Sequence, residues 1–236
     1  MREAFVRALL HGAAQIGVGI SDAQADLMSR HAEDVLKWNA RAGLTDITGP
    51  QAMAVKHYVD SLTCLHLVEA GESLVDVGSG AGFPGIPLKI MEPGIKITLL
   101  EATMKKARFL EATLECLRLE GSVVNMRTED FSRGDGREAY DVVVARAVAK
   151  MSVLAEYCLG LAKVGGLFVA MKGPAPEAET SHAAHAITVM GGRIECVQEF
   201  DLPAGFGSRS LVLVRKVAPA PSAYPRKAGT AARKPL

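Results

Sequence analysis

After Gly71 the chain repeats one arrangement: a short apolar run, a turn, and then a segment with helical spacing. The apolar runs are "SLVDVG", "KITLLE", "SVVNMRTE", "YDVVVARAV" and "GGLFVAMKG", and the helical segments are "IPLKIM", "MKKARFLEATLECLRL", "MSVLAEYCLGLAK" and "EAETSHAAHAITVMG". Strands made almost wholly of Val, Ile and Leu are buried on both faces, which requires a parallel sheet covered by helices. Two last segments, "RIECVQEFDLP" and "SRSLVLVRK", have no helix between them and are expected to close the sheet as an antiparallel pair. Residues 1–70 lack this alternation and read as helical. Ser21 and Asp22 can cap a segment with Leu27, His31, Val35 and Trp38 at three- and four-residue spacing, and Pro50 suits the first turn of another. The expected class is α/β: a Rossmann-like, mostly parallel sheet with a final antiparallel pair. A helical cap (1–70), a body (71–217) and a basic tail (218–236) divide the chain.

A chain of 236 residues, 49% apolar and 22% charged, is globular and long enough for a substantial core. Cys64, Cys116, Cys158 and Cys196 form no C-x-x-C pair, which argues against a zinc site or a disulfide framework and for buried free thiols. His182 and His185 lack a third ligand, so no metal is expected. "MREAFVRALLHG" does not read as a secretory signal, and no apolar run approaches the roughly 20 residues of a spanning helix. A cytoplasmic protein without a membrane partner is expected. The net charge of +1 conceals an asymmetry: Arg209, Arg215, Lys216, Arg226, Lys227, Arg233 and Lys234 follow Leu202 with no acid among them. A basic end on an acidic body fits a polyanionic partner or a solubilising tail.

The first strand runs into "LVDVGSGAGFPGIPL". Gly80, Gly82 and Gly85 form a G-x-G-x-x-G with Glu101 further on, as a dinucleotide loop would; Asp76, Gly78, Gly80 and Gly82 form D-x-G-x-G-x-G, as a loop for S-adenosylmethionine would. Ligands sit at the carboxyl ends of the strands in such sheets, where Asp76, Glu101, Glu129 and Asp130 fall. Carboxylates suit a ribose, a sulfonium and an ammonium, and not a pyrophosphate. Pro84 and Pro87 also occupy the helix start that should offer free N–H groups to a phosphate. The cofactor favoured is S-adenosylmethionine, with Gly78 and Gly80 at close approach and Glu101 toward the ribose. Gly78 is expected to tolerate no side chain, because a Cβ would stand where the backbone meets the cofactor.

"DVGSGAGFPGIPL", "KHYVDSL", "MKKARFL", "ARAVAKM", "FVAMKG" and "YPRKAGTAARKPL" occur in this order. In them the chain resembles the bacterial small-subunit ribosomal RNA guanine-N7 methyltransferases, formerly called glucose-inhibited division protein B. The likeness runs from about Trp38 to Leu236. It implies a class I S-adenosylmethionine-dependent methyltransferase with a helical cap, whose substrate is a guanine in 16S ribosomal RNA or the small ribosomal subunit. It also implies cofactor contacts at Gly78, Phe83, Thr128, Glu129 and Arg146. Where the family often has Asn-Leu-Thr, this chain has Gly43-Leu44-Thr45.

Several residues carry two readings. Asp76 either holds the loop backbone or meets the cofactor. His57, Asp60 and Ser61 share a helical turn and brace the cap or meet RNA rather than catalyse. Phe83 packs in the core or lies beside the cofactor, and Trp38 reads as core. Lys105, Lys106 and Arg108 form a solvated face or meet phosphate. Lys172, Arg226 and Lys227 are the expected RNA contacts. Two rival functions follow from the same residues: a non-catalytic RNA-binding or ribosome assembly protein, and a nicotinamide-dependent oxidoreductase resting on the other glycine register.

Overall fold

A computed structural model describes residues 1–236. The cap contains α1 (Arg2–Gln15), α2 (Asp22–Ala42), α3 (Pro50–Met53) and α4 (Asp60–Leu62), with a π-helical turn at Ala54–Val59 joining the last two. A capping box sets the start of α2: the Ser21 side chain accepts from the Gln24 amide while the Gln24 side chain takes the Ser21 amide. The body follows as β1 (Ser73–Val77), α5 (Gly85–Met91), β2 (Lys96–Leu100), α6 (Met104–Leu117), β3 (Ser122–Val124) and α7 (Thr128–Arg133). Then come β4 (Tyr140–Arg146), α8 (Met151–Leu159), β5 (Ala162–Lys172), α9 (Glu177–Val189), β6 (Gly192–Asp201), β7 (Ser208–Lys216) and α10 (Thr230–Arg233).

One seven-stranded sheet has the order β3-β2-β1-β4-β5-β7-β6. β1 to β5 are parallel, and β7 runs antiparallel between β5 and β6. The chain reverses direction across the sheet between β1 and β4, so the loops after these two strands border one crevice. Each sheet face has its own core. Phe5, Met28, Tyr58 and Leu62 of the cap join Leu74, Leu99, Val144 and Val169 in one cluster. Val75, Val143, Phe168 and Val212 pack with Met151, Leu159 and Ile187 in the other. The change of pattern near residue 70 is therefore not a break in packing.

Three details depart from the sequence expectation. α7 is a helix hidden in what reads as strand and loop. β5 begins at Ala162, inside the segment read as the end of a helix. Cys64 and Cys158 are buried thiols, whereas Cys116 and Cys196 are exposed. No helix is long and apolar enough to cross a membrane.

Candidate active site

The glycine loop leaves the carboxyl end of β1 and is tied to the next strand by backbone. Gly78 and Ser79 donate their amides to Leu100 O at 2.8 and 3.2 Å. Gly80 donates to Glu101 Oε2 at 3.0 Å. Gly78, Gly80 and Gly82 have φ of +69°, +57° and +88°, a region that side chains rarely adopt. A Cβ at Gly78 would also stand 2.8 Å from Val148 Cγ2, so packing within the protein disfavours a side chain there. At Gly80 a Cβ would meet nothing closer than Gly78 O at 3.7 Å. Asp76 is fully buried beneath the loop; its Oδ2 accepts from the Gly85 amide at 3.0 Å, and its Oδ1 has no partner. It holds the loop backbone, and burial pushes its pKa up to about 7.

The cap closes over this loop. The π-helical turn lays the His57 ring on Phe83, centroids 4.6 Å apart and 15° from parallel. Tyr58 and His31 reach the same ring at 5.0 and 5.2 Å, and the Arg146 guanidinium lies 5.2 Å from its centroid. Phe83 is thus enclosed by its own protein and only 5% exposed. His31 bridges cap and loop: its Nε2 must donate to Ala81 O at 3.0 Å, leaving Nδ1 to accept from Tyr58 OH at 2.9 Å. Burial lowers the His31 pKa to about 4. His57 falls to about 3, chiefly through burial and secondly through the Arg146 charge. Both rings are neutral at neutral pH.

Arg146, at the end of β4, donates to Asp60 Oδ2 at 2.9 Å and to Lys56 O at 3.0 Å. Asp60 is buried and Arg146 is half-buried, and the pair fastens the cap to the sheet. Thr45 Oγ1 lies 2.8 Å from His57 Nε2, and Asn39 holds Thr45 and Leu44 through Oδ1, at 2.9 and 2.8 Å. Gly43 ends α2 with φ 59° and ψ 58°. Glycine and asparagine are the residues that take this left-handed position most readily, so the departure at residue 43 keeps the backbone.

A cleft of about 590 Å³ opens between loop, cap and the β6–β7 hairpin. Gly78, Gly80, Phe83, Arg146 and Lys172 all border it. Lys56, Phe200 and Arg209 border it too, although the sequence reading did not single them out. Arg209 belonged to the unexplained basic run, and Lys56 stood in the quoted "KHYVDSL". Four cations and one carboxylate, Asp60, therefore line the cleft. None of the acids at the strand ends lines its wall. Asp76 is beneath the loop, Glu101 is spent on the Gly80 and Thr103 amides, and Glu129 is engaged elsewhere. Lys172 donates to Ala149 O at 3.1 Å and Glu179 Oε1 at 2.7 Å, so its charge is partly satisfied within the protein. Thr128 and Glu129 start α7, outside the cleft wall.

The C-terminal segment is folded against the body. Arg137 donates to Tyr224 O and Ala220 O, both at 2.7 Å, and Gly229 donates to the buried Glu129 at 2.6 Å. Arg226 forks onto the fully buried Glu156, Nη2 to Oε2 at 2.6 Å and Nε to Oε1 at 3.1 Å. Arg226 is thereby a structural clamp. Of the seven basic residues after Leu202, only Lys227, Arg233 and Lys234 have no carboxylate partner.

Comparison with known proteins decides the family. The model of a family described as rRNA small subunit methyltransferase G matches residues 24–211. The chain belongs to that family. A ribosomal RNA small subunit methyltransferase G of Symbiobacterium thermophilum is 48% identical over 97% of this chain and 96% of its own. One of Pelotomaculum thermopropionicum is 46% identical over 95% and 96%. Among solved structures, M. jannaschii TYW2 in complex with AdoMet has a TM-score of 0.52 at 13% identity, covering 66% of this chain and 74% of its own. TrmN from Thermus thermophilus has 0.53 at 13%, covering 67% and 48%. These two likenesses concern the fold, which is that of class I methyltransferases. As a member of the rRNA small subunit methyltransferase G family the chain is a methyltransferase, and its cofactor is S-adenosylmethionine. The nicotinamide register of the glycine loop is set aside. No group of His, Cys, Asp and Glu side chains is arranged to hold a metal ion.

Proposed function

We propose that this methyltransferase modifies N7 of a guanine in 16S ribosomal RNA, as naked RNA or within the small subunit, in the cytoplasm. The observation that carries the reading is the charge of the cleft: Lys56, Arg146, Lys172 and Arg209 against Asp60 alone, on a body whose residues 1–201 hold more acids than bases. A cationic mouth on an acidic body selects a polyanion at one place.

The residues present fit S-adenosylmethionine. Gly78 and Gly80 bring bare backbone to the cleft, and Arg146 offers a guanidinium to a carboxylate. Glu101 stands at the edge nearest Gly80, and Thr128 and Glu129 follow β3 at the adjoining strand end. Phe83 serves by supporting the loop from below. Bound there, the cofactor supplies an electrophilic methyl group on a sulfonium.

Guanine N7 has a lone pair and no hydrogen, so the protein need remove no proton before attack. In keeping with this, His31 is neutral and fully buried, His57 is neutral at the cleft wall, and Asp60 is held by Arg146. What the chain contributes is alignment and exclusion of water. Arg146, Lys172, Lys227 and their neighbours hold anionic groups away from the reacting nitrogen, where a cation would oppose the charge that develops. Calorimetric titration with S-adenosylhomocysteine tests the pocket. Glu129→Ala should weaken binding by roughly 1.5–3 kcal/mol, the worth of a hydrogen bond to a charged group. Parental affinity in that variant would remove Glu129 from the cofactor site.

A further inference from the structure

We propose that the mouth of the cleft, between the cap and the β6–β7 hairpin, is the docking surface for a single-stranded stretch of RNA. Phe200 is the platform on which the target base stacks, and Lys56 and Arg209 are its phosphate anchors. This deepens the functional reading above and rests on it.

The cleft wall contains two phenylalanines, Phe83 and Phe200. Phe83 is closed off by His57, Tyr58, His31 and Arg146. Phe200 is partly exposed and makes no ring–ring or ring–cation contact, while its inner edge packs on the core shared by cap and sheet. A large apolar ring held at the entrance of a polar, cationic cleft has a free surface of the kind that an unstacked base covers. Its position is fixed by pairing. Phe200 faces Arg209 directly across the antiparallel β6–β7 ladder, and residues opposite each other there project to the same side of the sheet. One rigid hairpin thus presents a ring and a guanidinium together.

Lys56 is unpaired, and Arg209 is loosely paired, with its Nη1 donating to Ser208 O at 2.8 Å. Lys56 has no carboxylate partner; its ammonium rests 5.4 Å from the centroid of Phe206, which makes Phe206 a positioning residue for it. The nearest carboxylate to Arg209 is Asp60, with Oδ1 at 3.7 Å, and that carboxylate already receives Arg146 on its other oxygen. Alternating cations and an open ring match the way single strands are bound, with the backbone tracked by charge and bases laid on aromatic faces. A duplex offers no free base face, so the target guanine must lie in a loop or be turned out of its helix.

The test measures binding of 16S ribosomal RNA over a range of salt, and single-turnover methyl transfer, in Phe200→Leu, Phe200→Tyr and Lys56→Gln. Phe200→Leu should lose about tenfold in RNA affinity, within the range of one base–aromatic stack. Phe200→Tyr should keep parental affinity, and S-adenosylhomocysteine binding should be unchanged in both. Lys56→Gln should flatten the log–log salt slope by about 0.7, the loss of one single-strand phosphate contact. If Phe200→Leu binds and methylates RNA like the parent, or Phe200→Tyr falls as far as Phe200→Leu, the platform is wrong. An unchanged salt slope in Lys56→Gln removes the anchor. Should the parent itself transfer no methyl group to 16S RNA, the functional reading fails first, and the parental control shows it.

Discussion

Asp76 and His57 show how burial sets the chemistry of single residues in this fold. The Asp76 carboxyl has a folded pKa near 7, far above its unfolded value, so the folded state binds a proton that the unfolded chain has already lost. Its contribution to stability is present at low pH and is lost as pH rises through about 7. Asp76→Asn keeps an acceptor for the Gly85 amide and removes the buried charge, so it should raise the melting temperature at pH 8 and gain little at pH 4. An equal gain at both values would show that the charge is not the cause. His57 behaves oppositely: with a pKa near 3 it carries no proton change at neutral pH. The single-turnover rate at saturation should therefore be nearly flat between about pH 6.5 and 8.5, in the parent and in Asp76→Asn alike. A tenfold rise across that range, abolished by replacing His57, would make His57 a base. Gly78 adds a third case. Positive φ and the Val148 contact together should make Gly78→Ala lose about 1–3 kcal/mol by chemical denaturation, even without cofactor.

Among the elements, the C-terminal segment is held by a few strong contacts rather than by a broad core. Arg226 is the chief of these, because Glu156 is fully buried and without the guanidinium would keep only the backbone amide of residue 226. Arg226→Ala should cost about 3 kcal/mol, read as a lower denaturation midpoint. A shift below 0.5 kcal/mol would mean that the tail is attached by other means. Replacing Lys227, Arg233 and Lys234 with Gln touches no ion pair and should leave stability unchanged while flattening the salt dependence of RNA binding. The same tail marks a limit of sequence reading. A run of Pro, Ala, Lys and Arg looks unstructured because its contacts are to Glu156, Glu129, Glu138 and Arg137, far away along the chain. α7 was hidden for another reason: six residues are too few for a helical period to show. By contrast β1, β2, β4 and β5 were legible, because each carries a buried apolar run on both faces. The capped start of α2 was legible too, because a capping box is local.

At the scale of the whole molecule, the glycine loop borders a cleft whose charged side chains come mostly from elsewhere. Glycine spacing and the two prolines pointed to S-adenosylmethionine, and Gly78, Gly80, Phe83, Arg146 and Lys172 do border one cleft. The acids that spacing placed at the strand ends are turned to backbone amides beneath and beside the loop. The cleft wall belongs instead to cations from three separate regions: Lys56 of the cap, Arg146 and Lys172 of the parallel sheet, and Arg209 of the hairpin. Only the fold brings these together, and the net charge of +1 gives no sign of it. In the proposed arrangement the methyl donor lies on the glycine loop and the RNA crosses the cationic mouth. The most direct test is methyl transfer from labelled S-adenosylmethionine to 16S ribosomal RNA and to small subunits, with the product mapped by chemical cleavage at N7-methylated guanine. The account predicts one methyl group per RNA, at N7 of a single guanine in a single-stranded stretch. Methylation at another atom or another base, or none on either substrate, would contradict it.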